Sequence, residues 1–104
     1  MPTLWEGIFC ALWTPTDSTG ALLEAELKRN LEFIRGHGVH GLLPHGSTGE
    51  FPHFDLPERK RFLEKVVSAG ENFSIIANIS DIRPAAVAEL GRFARECRVA
   101  AVAV

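Results

Sequence analysis

The octapeptide Pro44-His45-Gly46-Ser47-Thr48-Gly49-Glu50-Phe51 packs two glycines, two hydroxyl side chains and a carboxylate into a loop just after an apolar run. Glycine lets a backbone approach a ligand closely, and consecutive amides with two hydroxyls supply donors suited to a small anion such as a carboxylate. By spacing alone, a loop that merely turns the chain, with its hydroxyls bonding locally, fits these letters equally well. Glu50 reads either as a base or as an acceptor of backbone amide bonds.

Three other chemistries fail on the letters. Gly36-His37-Gly38-Val39-His40-Gly41 satisfies the dinucleotide pattern G-x-G-x-x-G, but it ends a helix and enters a strand, the reverse of the required context. A serine nucleophile elbow requires glycine where His45 stands, and a P-loop requires a lysine that follows neither Gly46 nor Gly49. His37, His40, His45 and His53 match no familiar metal-ligand spacing, and His37 falls at a helix end on the opposite side of the sheet from the loop. No metal and no cofactor are expected. His45 and His53 flank the loop closely enough to shape substrate preference.

Four strands and three helices must position this loop. Apolar or β-branched runs near 7–13, 39–44, 74–79 and 99–104 read as strands, separated by stretches whose apolar residues recur every three or four positions. Thr14-Pro15-Thr16-Asp17 closes the first strand. Leu23, Leu27, Leu31 and Ile34 line one face of the first helix, which Gly36 and Gly38 end. Asp55 and Glu58 form a capping box for the second helix, whose stripe is Phe62, Leu63, Val66 and Val67. Asp81 or a neighbour caps the third, with Pro84 in its first turn and Val87, Leu90, Ala94 and Cys97 on one side. Each connection is long enough for a parallel crossover, so the fold class is α/β. Strands such as Gly41-Leu42-Leu43-Pro44 are apolar on both faces, as strands covered on both sides tend to be. Residues 1–104 form one unit without linker or low-complexity segment.

Composition narrows the function. With 104 residues, 46% of them hydrophobic, and 11 basic against 13 acidic residues, the net charge of -2 points to neither nucleic acid nor a membrane surface. No apolar run approaches the roughly 20 residues that span a bilayer. Met1 to Glu6 lacks a basic segment followed by an apolar core, so a cytoplasmic location is expected. Cys10 and Cys97 make neither a metal motif nor a disulfide framework and read as buried reduced thiols.

Ala11 to Asp17 ("ALWTPTD"), Gly38 to Phe51 ("GVHGLLPHGSTGEF") and Leu56 to Glu64 ("LPERKRFLE"), with the βα spacing, resemble the start of the dihydrodipicolinate synthase and N-acetylneuraminate lyase family. The resemblance covers essentially the whole chain, and its most specific element is the G-[ST]-T-G-E loop. It implies the N-terminal half of a (β/α)8 barrel and class I aldolase chemistry, in which a lysine amine forms a Schiff base with a 2-keto acid, usually pyruvate. By the same resemblance, Thr48 and the amides around Ser47 to Gly49 grip the keto acid's carboxylate, and Ser47 lends its hydroxyl to a proton relay with tyrosines. A homo-oligomer is expected.

The departures are as informative. The family's Schiff-base lysine and acid/base tyrosine come from later strands, and the chain has no tyrosine. Lys28, Lys60 and Lys65 fall on helix surfaces, where an amine stays hydrated and protonated. Ala77 to Asp81 ("ANISD") replaces a glycine-rich turn found in many members. A complete barrel needs about 250 residues, so the chain reads as part of a longer aldolase and is expected to be inactive alone. Its first and fourth strands would be open edges that favour association of two copies. The alternative is a small non-catalytic α/β binding or scaffold module. Synthase, lyase and sugar-acid dehydratase activities stay open.

Overall fold

Each helix forms where the apolar stripe meets a stop or start signal, and each strand where a short apolar run meets its neighbour's ladder. The computed structural model describes residues 6–104; the absence of a targeting signal read from Met1 to Trp5 lies outside them. In chain order the elements are β1 (Phe9–Ala11), α1 (Glu24–Arg35), β2 (Gly41–Leu43), a 3-10 turn (Phe51–His53), α2 (Leu56–Ala69), β3 (Ser74–Asn78), α3 (Pro84–Glu96) and β4 (Ala101–Ala103).

The strands form one parallel sheet in the order β1-β2-β3-β4. Cys10 pairs with Leu42, Leu42 with Ile75, and Ala77 with Val102. Sequential parallel neighbours joined by same-handed crossovers place every helix on the same face. A single core accordingly joins Leu12, Leu42, Ile75 and Ala77 from the strand side to Leu27, Leu31, Phe62, Val66, Leu90 and Ala94 from the helices. The expectation of cover on both faces is not met among the described residues: Ala11 is exposed, and Leu43 and Ile76 are only half-buried. In a closed (β/α)8 barrel this second face is the one that packs against the remaining strands.

Local chemistry accounts for the ends. Asp55 accepts from the Glu58 amide at 2.8 Å and the Glu58 carboxylate accepts from the Asp55 amide at 2.9 Å, closing the capping box. Leu27, Leu31 and Ile34 are buried in α1, but Leu23 sits before its first turn and is exposed. Gly38, at φ +75°, takes the left-handed position that ends this segment, whereas Gly36 remains right-handed. Arg83 occupies the N-cap of α3, and Asp81, two residues upstream, accepts from the Arg83 amide at 2.9 Å. Val87 on that helix and Cys97 at its C-cap are half-buried, and Cys10 is likewise half-buried, so neither thiol is fully interior. Burial raises the pKa of both cysteines.

The strands are shorter than the apolar runs. β2 ends because Pro44 has no amide to donate and His45 turns to φ +54°. Isolated ladder bonds continue past the ends, as where the Leu12 amide donates to the Leu43 carbonyl at 3.1 Å.

Candidate functional site

The loop begins at the carboxyl end of β2, and its own bonds shape it. The Glu50 amide donates to the Ser47 carbonyl at 3.0 Å and the Phe51 amide to the Gly46 carbonyl at 3.4 Å. Between these closures, the amides of Gly46, Ser47, Thr48 and Gly49 have no acceptor among the described residues. Ser47 and Thr48 are exposed and Gly49 is buried. Four consecutive amides without an acceptor among the described residues, at a strand's carboxyl end, are an arrangement that can take an anion.

Gly49 is glycine for a steric reason. A Cβ there would stand 3.0 Å from the Leu12 carbonyl oxygen and 3.1 Å from the His45 backbone, wedged between the end of β1 and the loop's first turn. Its carbonyl accepts from the Thr14 hydroxyl at 2.8 Å, and Thr14 is 2% exposed. The Thr-Pro turn after β1 therefore fixes the far end of the loop.

His45 is buried, with 4% of its surface exposed. Its ring lies between Phe54, at a centroid distance of 5.0 Å, and Phe62, at 4.4 Å, beneath the loop. Burial first, and the Arg59 charge second, push its pKa down to about 3, so the imidazole is neutral. Its Nε2 is buried with no partner among the described residues, a local cost to the fold. His53 is exposed. Glu50, exposed at φ +58°, accepts no backbone amide among the described residues, so the acceptor reading fails for it.

Two residues that the sequence reading passed over hold the site from behind. Arg59, 3% exposed, donates to the Ser80 carbonyl at 2.7 Å and the Asn78 carbonyl at 2.9 Å, and lies over the Phe51 ring. Burial lowers its pKa, and Asp81 at 3.9 Å works against that shift. Asn78 donates to the His45 carbonyl at 2.6 Å. The available signal was periodicity: Arg59 shares the stripe of Phe62, Leu63 and Val66 at spacings of three, four and seven. A cation in that phase must be satisfied inside.

Other groups lie elsewhere. A cavity of about 410 Å³ opens between the amino-terminal ends of α1 and α2, lined by residues including Thr14, His45, Phe54 and Arg61 but not by Ser47, Thr48 or Gly49. Lys60 pairs with Glu89 and Lys65 with Glu24 across helix surfaces, and Lys28 is exposed. At the other end of β2 from His45, the His37 ring bonds the Phe33 carbonyl one turn back, and the His40 ring accepts from the Ile8 amide. Among the described residues no three His, Cys, Asp or Glu side chains gather where they could hold a metal.

The chain's match to known proteins follows the same landmarks. The signature of the Dihydrodipicolinate synthetase family matches residues 4–101. The chain belongs to this family. It is 34% identical over 100 residues to the 4-hydroxy-tetrahydrodipicolinate synthase of Parvibaculum lavamentivorans, covering 95% of this chain and 34% of that protein. It is 34% identical over 96 residues to the N-acetylneuraminate lyase of Escherichia coli O1:K1, covering 91% of this chain and 32% of the lyase. Its fold superposes on the 2-keto 3-deoxygluconate aldolase from Picrophilus torridus with a TM-score of 0.88 at 33% identity, over 94% of this chain and 35% of the aldolase. Dihydrodipicolinate synthetase family members of known structure are barrels, and this chain is the N-terminal half of such a barrel. It spans about a third of the length of the relatives it matches. The family is one of lyases and aldolases, and no helix among the described residues is long and apolar enough to cross a membrane.

Proposed function

We propose that this chain is the carboxylate-binding half of a class I aldolase acting on pyruvate or another 2-keto acid. In this reading Thr48 and the amides of Gly46 to Gly49 hold the carboxylate. The adjacent carbonyl then meets a lysine amine from a later strand: nitrogen bonds to the keto carbon, water leaves, and the protonated imine becomes the electron sink for aldol condensation or cleavage. Ser47 passes a proton in a relay completed by tyrosines from outside this chain. A cytoplasmic location and a homo-oligomeric assembly go with the reading.

The single observation that supports it is the run of four amides at the carboxyl end of β2 that have no acceptor among the described residues, with exposed Ser47 and Thr48 beside them. Lys60 is paired with Glu89 and Lys65 with Glu24, and Lys28 is exposed, so the 104 residues should bind the acid without performing the chemistry. Incubation with pyruvate and borohydride, followed by mass measurement, should leave the chain unmodified. A reduced adduct on any of the three lysines would overturn this assignment. Equilibrium binding should favour pyruvate over the neutral ketone acetone and be lost in Thr48→Val.

A second reading, a small non-catalytic α/β module, draws on the absence of tyrosine from the sequence. The length of the native polypeptide discriminates: an 11.4 kDa monomer supports the module, and a longer product containing a later lysine supports the aldolase.

A further inference from the structure

The four polar groups of Asn78 all serve one purpose. Its amide donates to the Pro44 carbonyl at 3.4 Å and its side-chain nitrogen to the His45 carbonyl at 2.6 Å. Its side-chain oxygen accepts from the Ser80 hydroxyl at 2.9 Å, and its carbonyl accepts from Arg59 at 2.9 Å. The same guanidinium holds the Ser80 carbonyl at 2.7 Å. Asn78 is therefore gripped by a buried cation behind it and grips two successive loop carbonyls in front.

Two geometric consequences follow. In a trans peptide the carbonyl and the next amide point in opposite directions. Holding the His45 carbonyl toward Asn78 turns the Gly46 amide away from it, into the run of free donors. Second, His45 sits at φ +54°, a conformation that costs a non-glycine residue free energy and persists only when its surroundings enforce it. The Asn78 bond and the Phe54 and Phe62 stacking supply that enforcement. At the far end Thr14 holds the Gly49 carbonyl at 2.8 Å. The donors are thus strung between anchored carbonyls at 44, 45 and 49.

We infer that Asn78 is a positioning residue for the anion-binding loop, setting the direction of the Gly46 to Gly49 amides through the His45 carbonyl, with Arg59 and Ser80 as its supports. The inference rests on the reading of that loop as an anion cradle for its functional meaning, but its geometric content stands apart from any ligand.

Asn78→Asp tests it, because aspartate keeps the shape and the acceptor for Ser80 while placing an oxygen, not a donor, against the His45 carbonyl. Nitrogen-15 relaxation on the ligand-free chain should show residues 46–49 more mobile in the variant than in the wild type, with helix amides unchanged. Pyruvate affinity should fall by about tenfold or more through lost preorganisation. Ser80→Ala, which removes only an orienting bond, should show the same pattern more weakly. Should Asn78→Asp fail to fold, Asn78→Gly removes the donor without adding charge and takes its place. Wild-type relaxation at 46–49 in a folded Asn78 variant overturns the inference. A loosened loop in the variant together with no pyruvate binding by the wild type keeps the positioning role and removes the aldolase reading instead.

Discussion

The two turns that bracket β2 are close in composition and opposite in use. Gly36 to Gly41 before the strand and Pro44 to Phe51 after it both combine glycines with histidine. Before the strand, the amides of Gly36, His37, His40 and Gly41 donate to backbone carbonyls, and the His40 ring accepts from the Ile8 amide at 2.9 Å. After it, four successive amides have no acceptor among the described residues, while the groups around them are buried and bonded. Composition marks both as turns. What separates a connector from a binding surface is which donors remain open once the frame around them is satisfied.

The largest expected effect that sharpens this contrast is a pH dependence from His45. Its imidazole stays neutral in the fold down to about pH 3, whereas the unfolded chain takes up a proton near pH 6.5. The stability present above pH 6.5 is therefore lost progressively as pH falls toward 3. The loss is on the order of 5 kcal/mol at the acid end, by linkage. Urea unfolding across this range should follow that slope, and His45→Phe should flatten it. An unchanged slope in the variant would mean that another group carries the acid sensitivity.

Glycine substitutions come next. Gly49→Val must push against the Leu12 carbonyl and the His45 backbone, and should destabilise by about 2 to 3 kcal/mol with loss of pyruvate binding. On the connector side Gly38 has open space around it but sits at φ +75°, so Gly38→Ala should cost only about 1 kcal/mol and leave binding intact. Equal urea midpoints for the two would break the contrast.

The landmarks of the fold were legible in the letters because they are local. Leu27, Leu31 and Ile34, the Asp55 and Glu58 cap, and the crossover lengths each follow from spacing within one element. The loop's place after β2 was legible for the same reason. Its frame was not. Thr14 reaches Gly49 across 35 positions and Asn78 reaches His45 across 33, and no periodicity records such pairings. The burial of His45 was not legible either, because Phe54 and Phe62, which enclose it, come from beyond the loop and from α2. The one-sided cover of the sheet was hidden by apolar residues on both faces, which a barrel wall and a doubly covered sheet share.

Smaller effects refine the picture. Thr14→Val keeps the shape but leaves the buried Gly49 carbonyl without its donor, and should cost about 1 to 3 kcal/mol in urea unfolding. Ser47→Ala, on the exposed arc, should change stability by less than about 0.5 kcal/mol. If Ser47 acts in proton transfer rather than in grip, pyruvate affinity should stay within about twofold.

The most direct test is a residue-resolved titration of the nitrogen-15-labelled chain with pyruvate, using acetone as the neutral control. Saturable shifts of the Gly46, Ser47, Thr48 and Gly49 amides are expected with pyruvate alone, while the Gly36 to Gly41 amides stay still. Shifts confined to the cavity between α1 and α2, or none in residues 46–49 at saturating acid, would contradict the proposed role of the loop.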